Sequence, residues 1–172
     1  MNKRINALKF ALENELNERE FYLANARRTK NLAGKNMFKQ IADEEKEHYE
    51  MLKKLHDQWE KKQKWPSTVS LKVKKSLTGN ILKSMSEKKS TRIKGNEDDL
   101  KAVRTAIDFE ARGMALYTKL EEGSTDPREK AFFNLLAGIE RQHFLSLRDT
   151  EEFLTDPVSW YQKTERSSLD GG

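Results

Sequence analysis

One set of acidic, phenolic and imidazole side chains occurs twice in this sequence, at an offset of 95 residues. In each copy a Glu stands seven residues before a Tyr and 30 residues before the Glu of a Glu-x-x-His motif. The first copy is Glu15, Tyr22, Glu45 and His48, and the second is Glu110, Tyr117, Glu140 and His143. Four carboxylates and two imidazoles are the ligand set of a carboxylate-bridged two-metal site. The pattern therefore predicts one metal centre, built in equal parts by the two halves of the chain.

Helices are the elements that would position these residues. Side chains three, four and seven residues apart share one face of a helix, so a Glu-x-x-His motif points its carboxylate and imidazole in the same direction. Apolar residues also recur at the same offset: Leu12 with Ile107, Met37 with Phe132, Phe38 with Phe133, Ile41 with Leu136, and Leu52 with Leu147. A single Glu-x-x-His motif could arise by chance in a Glu-rich chain, but two aligned copies indicate one helical hairpin used twice.

These elements predict an all-α fold, a ferritin-like four-helix bundle made of two repeated helical hairpins with a long crossover connection. The hairpins are expected at residues 4–64 and 96–155, with the crossover at residues 65–95, in which residues 80–88 form a short helix. A domain over residues 1–160 is followed by a C-terminal tail at residues 161–172, near which Trp160 and Tyr161 contact the bundle.

Capping residues set the expected helix limits. Asn31 is a candidate N-cap for the second helix, and Trp65-Pro66 is expected to end it. The third helix is expected to begin near Asn96 and to end near Gly123 as a left-handed stop. Asp126, followed by Pro127, begins the fourth helix, and Thr155-Asp156-Pro157 closes it.

Composition excludes several classes of function. The chain has no Cys, which excludes disulfides, catalytic thiols and Cys-ligated iron within these 172 residues. No continuous apolar run resembles a signal peptide or a membrane span, so a cytoplasmic protein without membrane contact is expected. Residues 61–94 carry eleven Lys or Arg against Glu87 alone, which leaves the rest of the chain acidic although the net charge is +5. The basic charge therefore belongs to the connector.

The residues resemble a known family, the ferritin-like di-iron carboxylate domain of rubrerythrins, and in particular short members that lack the rubredoxin module. The resemblance covers about residues 5–160. Besides the two Glu-x-x-His motifs it includes Asp-Pro-x-x-Trp-Tyr at residues 156–161 and Leu-Asp-Gly-Gly at residues 169–172.

The resemblance implies a role for each residue of the repeated set. Glu45 and Glu140 would bridge two iron ions, with manganese or a mixed pair as alternatives. The ends of the site would be completed by Glu15 with His48 and by Glu110 with His143. Tyr22 and Tyr117 would hydrogen-bond the ligand carboxylates; the alternative is that they are ordinary core aromatics.

The chain departs from the family pattern in two ways. Rubrerythrins usually carry a further Glu three residues after the third-helix ligand, where this chain has Gly113. The equivalent position in the first half is Glu18, a possible extra ligand, although on so charged a helix a solvated Glu18 is favoured. The missing Cys-rich module means that electrons must come from an external donor. His56 matches no ligand position and is expected to be exposed.

Three functions fit the sequence. The leading interpretation is a redox protein in which two ferrous ions reduce hydrogen peroxide. The second is oxygen-dependent iron oxidation or iron handling, and a homodimer is the expected assembly for either. The third is a binding module that uses the basic connector at residues 61–94, although nucleic-acid binding is disfavoured because that segment lacks interleaved aromatic residues beyond Trp65.

Overall fold

The structure is a computed structural model that describes residues 2–62, Thr78, Ile81 and residues 95–169. Side chains are described for residues 7–61 and 95–164, together with Thr78 and Ile81. Within these ranges the chain forms helices and no strands, so the predicted all-α class is confirmed. The helices are α1 (Asn2–Arg28), α2 (Leu32–Lys62), α3 (Glu97–Glu122), α4 (Pro127–Thr155) and α5 (Pro157–Leu169).

Two helical hairpins make up the bundle. α1 packs along α2 and α3 packs along α4, while contacts of α2 with α4 and of α1 with α3 join the two hairpins. This arrangement confirms the predicted ferritin-like bundle of two repeated hairpins. It places the four inward faces around one central volume, where the repeated Glu and His residues lie.

The helix starts follow the capping residues. The side chain of Asn31 accepts hydrogen bonds from the backbone amides of Ala33 and Gly34, at 2.9 and 3.2 Å. Asn96 accepts one from the amide of Asp99 at 2.8 Å, and Asp126 accepts one from the amide of Arg128 at 2.8 Å. These side chains satisfy amides that have no partner within their own helix, which fixes where each helix begins.

The end of α3 differs from the expected left-handed stop. Gly123 follows the last residue of the helix, but its φ of −77° and ψ of −8° lie in the right-handed helical region. Its amide donates to the carbonyl of Lys119 at 3.1 Å. The expectation of a left-handed Gly123 was therefore wrong: the chain leaves α3 through a further helical turn that any residue could adopt.

The apolar core is divided into two clusters. One contains Tyr22, Met37, Phe38, Ile41, Val103, Leu147, Phe153 and Leu154, and the other contains Leu8, Leu52, Leu55, Tyr117, Phe132, Phe133 and Leu136. All of these side chains are almost fully buried. Each cluster includes one of the two repeated tyrosines, so each meets the polar centre of the bundle through a phenol ring.

The described parts of the crossover lie against α4. The hydroxyl of Ser146 donates to the hydroxyl of buried Thr78 at 2.9 Å, and the amide of Gly95 donates to the carbonyl of Leu154 at 2.9 Å. A Cβ atom at Gly95 would lie 2.9 Å from the Cβ of Leu154, so only glycine permits this close approach. The expected helix at residues 80–88 and the Trp65-Pro66 stop lie outside the described residues, apart from helical Ile81.

A further helix follows the bundle. The segment predicted to be a C-terminal tail, residues 161–172, is entered by α5, which extends from Pro157 to Leu169. Trp160 and Tyr161 are buried against Phe153, and the indole nitrogen of Trp160 donates to Asp149 at 2.6 Å. The start of α5 is thus attached to α4. Within the described residues no helix has an apolar stretch long enough to span a bilayer.

Candidate metal centre

The six predicted ligands converge at the centre of the bundle. α1 and α3 each contribute one carboxylate, while α2 and α4 each contribute the Glu and His of a Glu-x-x-His motif. All six residues are at most 1% exposed, namely Glu15, Glu45, His48, Glu110, Glu140 and His143. So many ionisable groups are rarely buried together unless they are paired or bind metal.

Their oxygen and nitrogen atoms form two overlapping groups. One consists of Glu15, Glu45, His48 and Glu140, and the other of Glu45, Glu110, Glu140 and His143. Within each group one ligand atom per residue lies within 4.8 Å of the others. Glu45 and Glu140 belong to both groups, which is the arrangement that two carboxylates bridging a pair of metal ions require.

Each imidazole turns its Nδ1 atom toward the carboxylates. Nδ1 of His48 lies 2.8 Å from Oε2 of Glu45 and 3.2 Å from Oε2 of Glu15. Nδ1 of His143 lies 3.0 Å from Glu45, 3.5 Å from Glu110 and 3.9 Å from Glu140. None of the His143 contacts at Nδ1 has hydrogen-bond geometry, so this nitrogen points into the space between carboxylates.

Several buried oxygens at the centre accept no hydrogen bond. They include both oxygens of Glu140 and Oε2 of Glu110. Leaving buried acceptors without a donor costs about 1–3 kcal/mol each, and more for charged groups. A bound cation removes that cost because it takes the place of the missing donors. The donor set, oxygen and imidazole nitrogen without thiolate, suits iron or manganese.

Burial and close contacts shift the pKa values of these clustered groups. Burial and the neighbouring carboxylate of Glu45 raise the pKa of Glu15 to about 8 and hold that of Glu140 well above its usual range. Burial alone would lower the pKa of His48, but Glu45 and Glu15 raise it to about 10. Burial opposes ionisation of Glu45, yet the two histidines hold its pKa below the usual range. Metal binding would displace the protons from the ligands.

Each of the two tyrosines donates a hydrogen bond to a carboxylate of the opposite hairpin. Tyr22 on α1 donates its hydroxyl hydrogen to Glu110 on α3, and Tyr117 on α3 donates to Glu15 on α1. Burial, together with the acceptor carboxylates, holds the pKa of both phenols well above the usual range, so the hydroxyls stay protonated. The crossed pair therefore orients both end carboxylates and ties the hairpins together.

Sequence reasoning missed one residue at the centre, Glu44. Its Oε2 atom lies 2.7 Å from Nε2 of His143, the ring nitrogen that faces away from the carboxylate cluster. Gln40 donates to the other Glu44 oxygen at 2.8 Å. A carboxylate on the far nitrogen of a histidine fixes the orientation of the ring and its tautomer. No motif marked Glu44, because the contact joins α2 to α4.

Glu18 is buried, so the expectation of a solvated side chain was wrong. It is 4% exposed, and its Oε1 atom accepts a hydrogen bond from Asn14 at 3.0 Å. Burial and the nearby carboxylates of Glu45, Glu110 and Glu15 hold its pKa well above the usual range. At the equivalent position of the second hairpin, a Cβ atom on Gly113 would lie 3.4 Å from the carboxyl carbon of Glu140. Both positions thus adjoin the carboxylate cluster.

His56 was expected to be exposed, and that expectation was wrong. It is 9% exposed on α2 and lies one turn from Leu52 and Trp59, on the buried face of the helix. Its Nδ1 atom lies 3.6 Å from a carboxylate oxygen of Asp57, and its Nε2 atom has no hydrogen-bond partner. His56 is not part of either group of clustered ligands.

Comparison with known proteins agrees with this architecture. The family model described as Rubrerythrin matches residues 6–151. Among solved structures, a hypothetical protein from Pyrococcus furiosus, Pfu-1136390-001, is similar with a TM-score of 0.65 and 26% sequence identity. The match covers 89% of this chain and 90% of the other. No curated protein matches the sequence.

Proposed function

Because the chain belongs to the rubrerythrin family, whose members carry a di-iron redox centre, we propose that it reduces hydrogen peroxide at a pair of iron ions. The observation that supports this best is the sharing of Glu45 and Glu140 between the two groups of clustered ligands. A pair of metals bridged in this way would supply one electron each, which matches the two electrons that a peroxide bond consumes.

The proposed ligand roles follow the two groups. Glu45 and Glu140 would bridge the two ions, Glu15 and His48 would hold one ion, and Glu110 and His143 would hold the other. Four ionised carboxylates and two neutral imidazoles balance two divalent cations, so the filled centre is close to neutral within the core. The metal-free centre instead crowds four carboxylates together, and metal should therefore stabilise the fold.

The chain contributes positioning and protection from water. Tyr22 and Tyr117 hold the end carboxylates through hydrogen bonds, and Glu44 holds the ring of His143. The apolar clusters on either side make the surroundings of the centre less polar, which strengthens the electrostatic interactions within it. Reduction of one peroxide needs two electrons and two protons and gives two water molecules. With no Cys in the chain, the electrons are expected from an external donor.

Stopped-flow oxidation of the anaerobically loaded diferrous protein tests the proposal. The protein is mixed separately with hydrogen peroxide and with oxygen, and the appearance of ferric absorption is followed. We expect oxidation to be many-fold faster with peroxide. Faster oxidation by oxygen would favour the alternative, an iron-oxidising or iron-handling protein. Failure to bind two iron ions would contradict both.

We also propose Glu18 as an additional carboxylate ligand. Its burial beside the cluster and its Oε2 atom without a hydrogen-bond partner support this role. Glu18→Ala should still bind two iron ions but react more slowly with peroxide. Glu13→Ala, which removes an exposed acid from the same helix, is the matched control. Unchanged iron binding and peroxide kinetics in Glu18→Ala would exclude the role.

A further inference from the structure

A groove between α1 and α3 lies beside the candidate metal centre, with Glu18 in its lining. The groove opens to the surface and has a volume of about 480 Å³. Its apolar walls are the rings of Phe10, Phe21 and Phe109 and the side chain of Leu116. Pockets of about 300–1,000 Å³ with apolar walls and few polar groups are typical of sites for organic ligands. We call this feature the α1–α3 groove.

Glu18 connects the groove to the centre. It lines the cavity and is 4% exposed, so it is the deepest of the polar lining residues. Asn14, another lining residue, orients Glu18 by donating to its Oε1 atom, and Oε2 has no hydrogen-bond partner. On its other side Glu18 lies near the ligand carboxylates Glu45 and Glu110. Glu18 is thus the residue of the groove lining that adjoins the carboxylate cluster.

Arg112 supplies a positive charge beside the groove. Its guanidinium carbon lies 4.7 Å from the centre of the Phe109 ring, and its Nε atom donates to the backbone carbonyl of Asp108 at 3.2 Å. In the part of the chain that the structure describes, no carboxylate side chain pairs with it. An unpaired guanidinium next to an apolar cavity suits a ligand with a carboxylate and a hydrocarbon body.

The aromatic walls and the volume of the groove exceed what a path used only by hydrogen peroxide would need. Hydrogen peroxide is small and polar, so it gains nothing from aromatic walls or from a cavity many times the volume of a water molecule. A hydrocarbon chain gains by burial against those walls. The lining therefore favours an amphipathic oxidant over a purely polar one.

We propose that the α1–α3 groove binds a fatty-acid hydroperoxide, with its chain against the aromatic walls, its carboxylate at Arg112, and its hydroperoxide group near Glu18 and the metal centre. This inference rests on the proposed peroxide reduction. The oxygen–oxygen bond of the hydroperoxide breaks, two electrons come from the reduced metal pair, and two protons complete an alcohol and a water molecule. The external donor then restores the two electrons.

Binding of the unreactive parent acid tests the groove separately from the chemistry. Linoleate is titrated into anaerobic, iron-loaded protein by calorimetry. Leu116→Trp fills the cavity from α3 and should weaken binding about tenfold or more. Asn17→Trp fills it from an exposed position on α1, where folding is not at risk, and should act in the same direction. Arg112→Gln should weaken linoleate binding severalfold.

Matched controls lie on α4. Leu145→Trp changes an exposed leucine and Arg128→Gln an exposed arginine, and neither should affect linoleate binding. In stopped-flow experiments the two groove-filling variants should slow oxidation by linoleic acid hydroperoxide much more than oxidation by hydrogen peroxide. Arg112→Gln should slow the reaction with that hydroperoxide more than the reaction with cumene hydroperoxide, which has no carboxylate.

The inference would be overturned if the protein did not bind linoleate, or if both groove-filling variants bound linoleate as tightly as the unchanged protein. It would also be overturned if sedimentation of those variants changed, because the groove would then be an interface between copies of the chain. Failure of the proposed function has a different signature. In that case hydrogen peroxide would not oxidise the diferrous protein, whatever the result of the linoleate titration.

Discussion

The two hairpins contribute the same ligands to the centre, but the first contributes two acids that the second lacks. Glu18 on α1 corresponds to Gly113 on α3, and Glu44 on α2 corresponds to Ile139 on α4. Glu18 is buried beside the carboxylates, and Glu44 binds the ring of His143. In the described residues no carboxylate holds the far nitrogen of His48 in the same way. The two halves of the candidate centre therefore differ, although their repeated residues match.

The largest effect on metal binding is expected at Glu45 and Glu140, which occupy equivalent positions in the two hairpins. Glu45→Ala and Glu140→Ala should each abolish two-metal binding, because each carboxylate belongs to both ligand groups. Glu15→Ala removes a ligand of one group only and should weaken one position while the other is retained. Metal content after desalting gives the stoichiometry, and Glu50→Ala, an exposed acid on α2, is the control. Retention of two metals by Glu45→Ala would contradict its bridging role.

The next largest effect concerns how the stability of the metal-free protein depends on pH. Folding raises the pKa of Glu15 from 4.5 to about 8 and that of His48 from 6.5 to about 10. Raised values mean that the folded state favours the protonated forms. The stabilisation is therefore complete at low pH and is lost as the pH rises through these values. The melting temperature should fall by roughly 5 °C or more between about pH 5 and pH 10.

Metal should reverse this dependence, since the ligands bind metal only after losing their protons. The difference in melting temperature between the metal-loaded and metal-free proteins should therefore grow with pH. Differential scanning fluorimetry across the range measures both curves. A metal-free protein that became more stable from pH 5 to pH 10 would contradict the protonation that we assign to the centre.

A smaller effect on metal binding is expected from Glu44, the acid on α2 that has no acidic counterpart on α4. Glu44→Gln leaves the ring of His143 without its carboxylate partner. Loss of such a partner typically weakens metal affinity about 10–100-fold. Only the position held by His143 should weaken, so a manganese titration should change from two similar affinities to two separated ones. Equal weakening at both positions would show that Glu44 acts on the whole bundle. Glu50→Gln is the control.

The smallest effect concerns Gly113. A Cβ atom there would lie 3.4 Å from the carboxyl carbon of Glu140, an ordinary contact distance, so alanine should fit. Replacing a glycine in a helix by alanine stabilises it by about 0.5–1 kcal/mol. Gly138→Ala, where nothing lies within 4 Å of the added atom, should give the same gain. Denaturant unfolding compares the two, and a marked loss in Gly113→Ala alone would show that Glu140 requires the space.

The sequence predicted the fold and the clustering of the repeated residues because both depend on short-range helical geometry. A Glu and a His three residues apart must share a helix face, and a repeated hairpin brings two such faces together. The capping residues of α2, α3 and α4 could also be predicted from the sequence, because each cap accepts hydrogen bonds from amides of its own first turn.

Contacts between different helices could not be predicted from the sequence in the same way. The pairing of Tyr22 with Glu110 and of Tyr117 with Glu15 depends on the register of α1 against α3. The contact of Glu44 with His143 depends on the packing of α2 against α4. The burial of Glu18 and His56 depends on helix rotation, and in a chain with 35% charged residues composition favoured exposure for both.

The most direct test of the account is anomalous diffraction at the iron edge from crystals of the anaerobically loaded protein. We predict two iron peaks inside the bundle, one beside His48 and Glu15 and one beside His143 and Glu110, with Glu45 and Glu140 contacting both. A single peak, or two peaks that do not share these carboxylates, would contradict the assignment of a carboxylate-bridged metal pair.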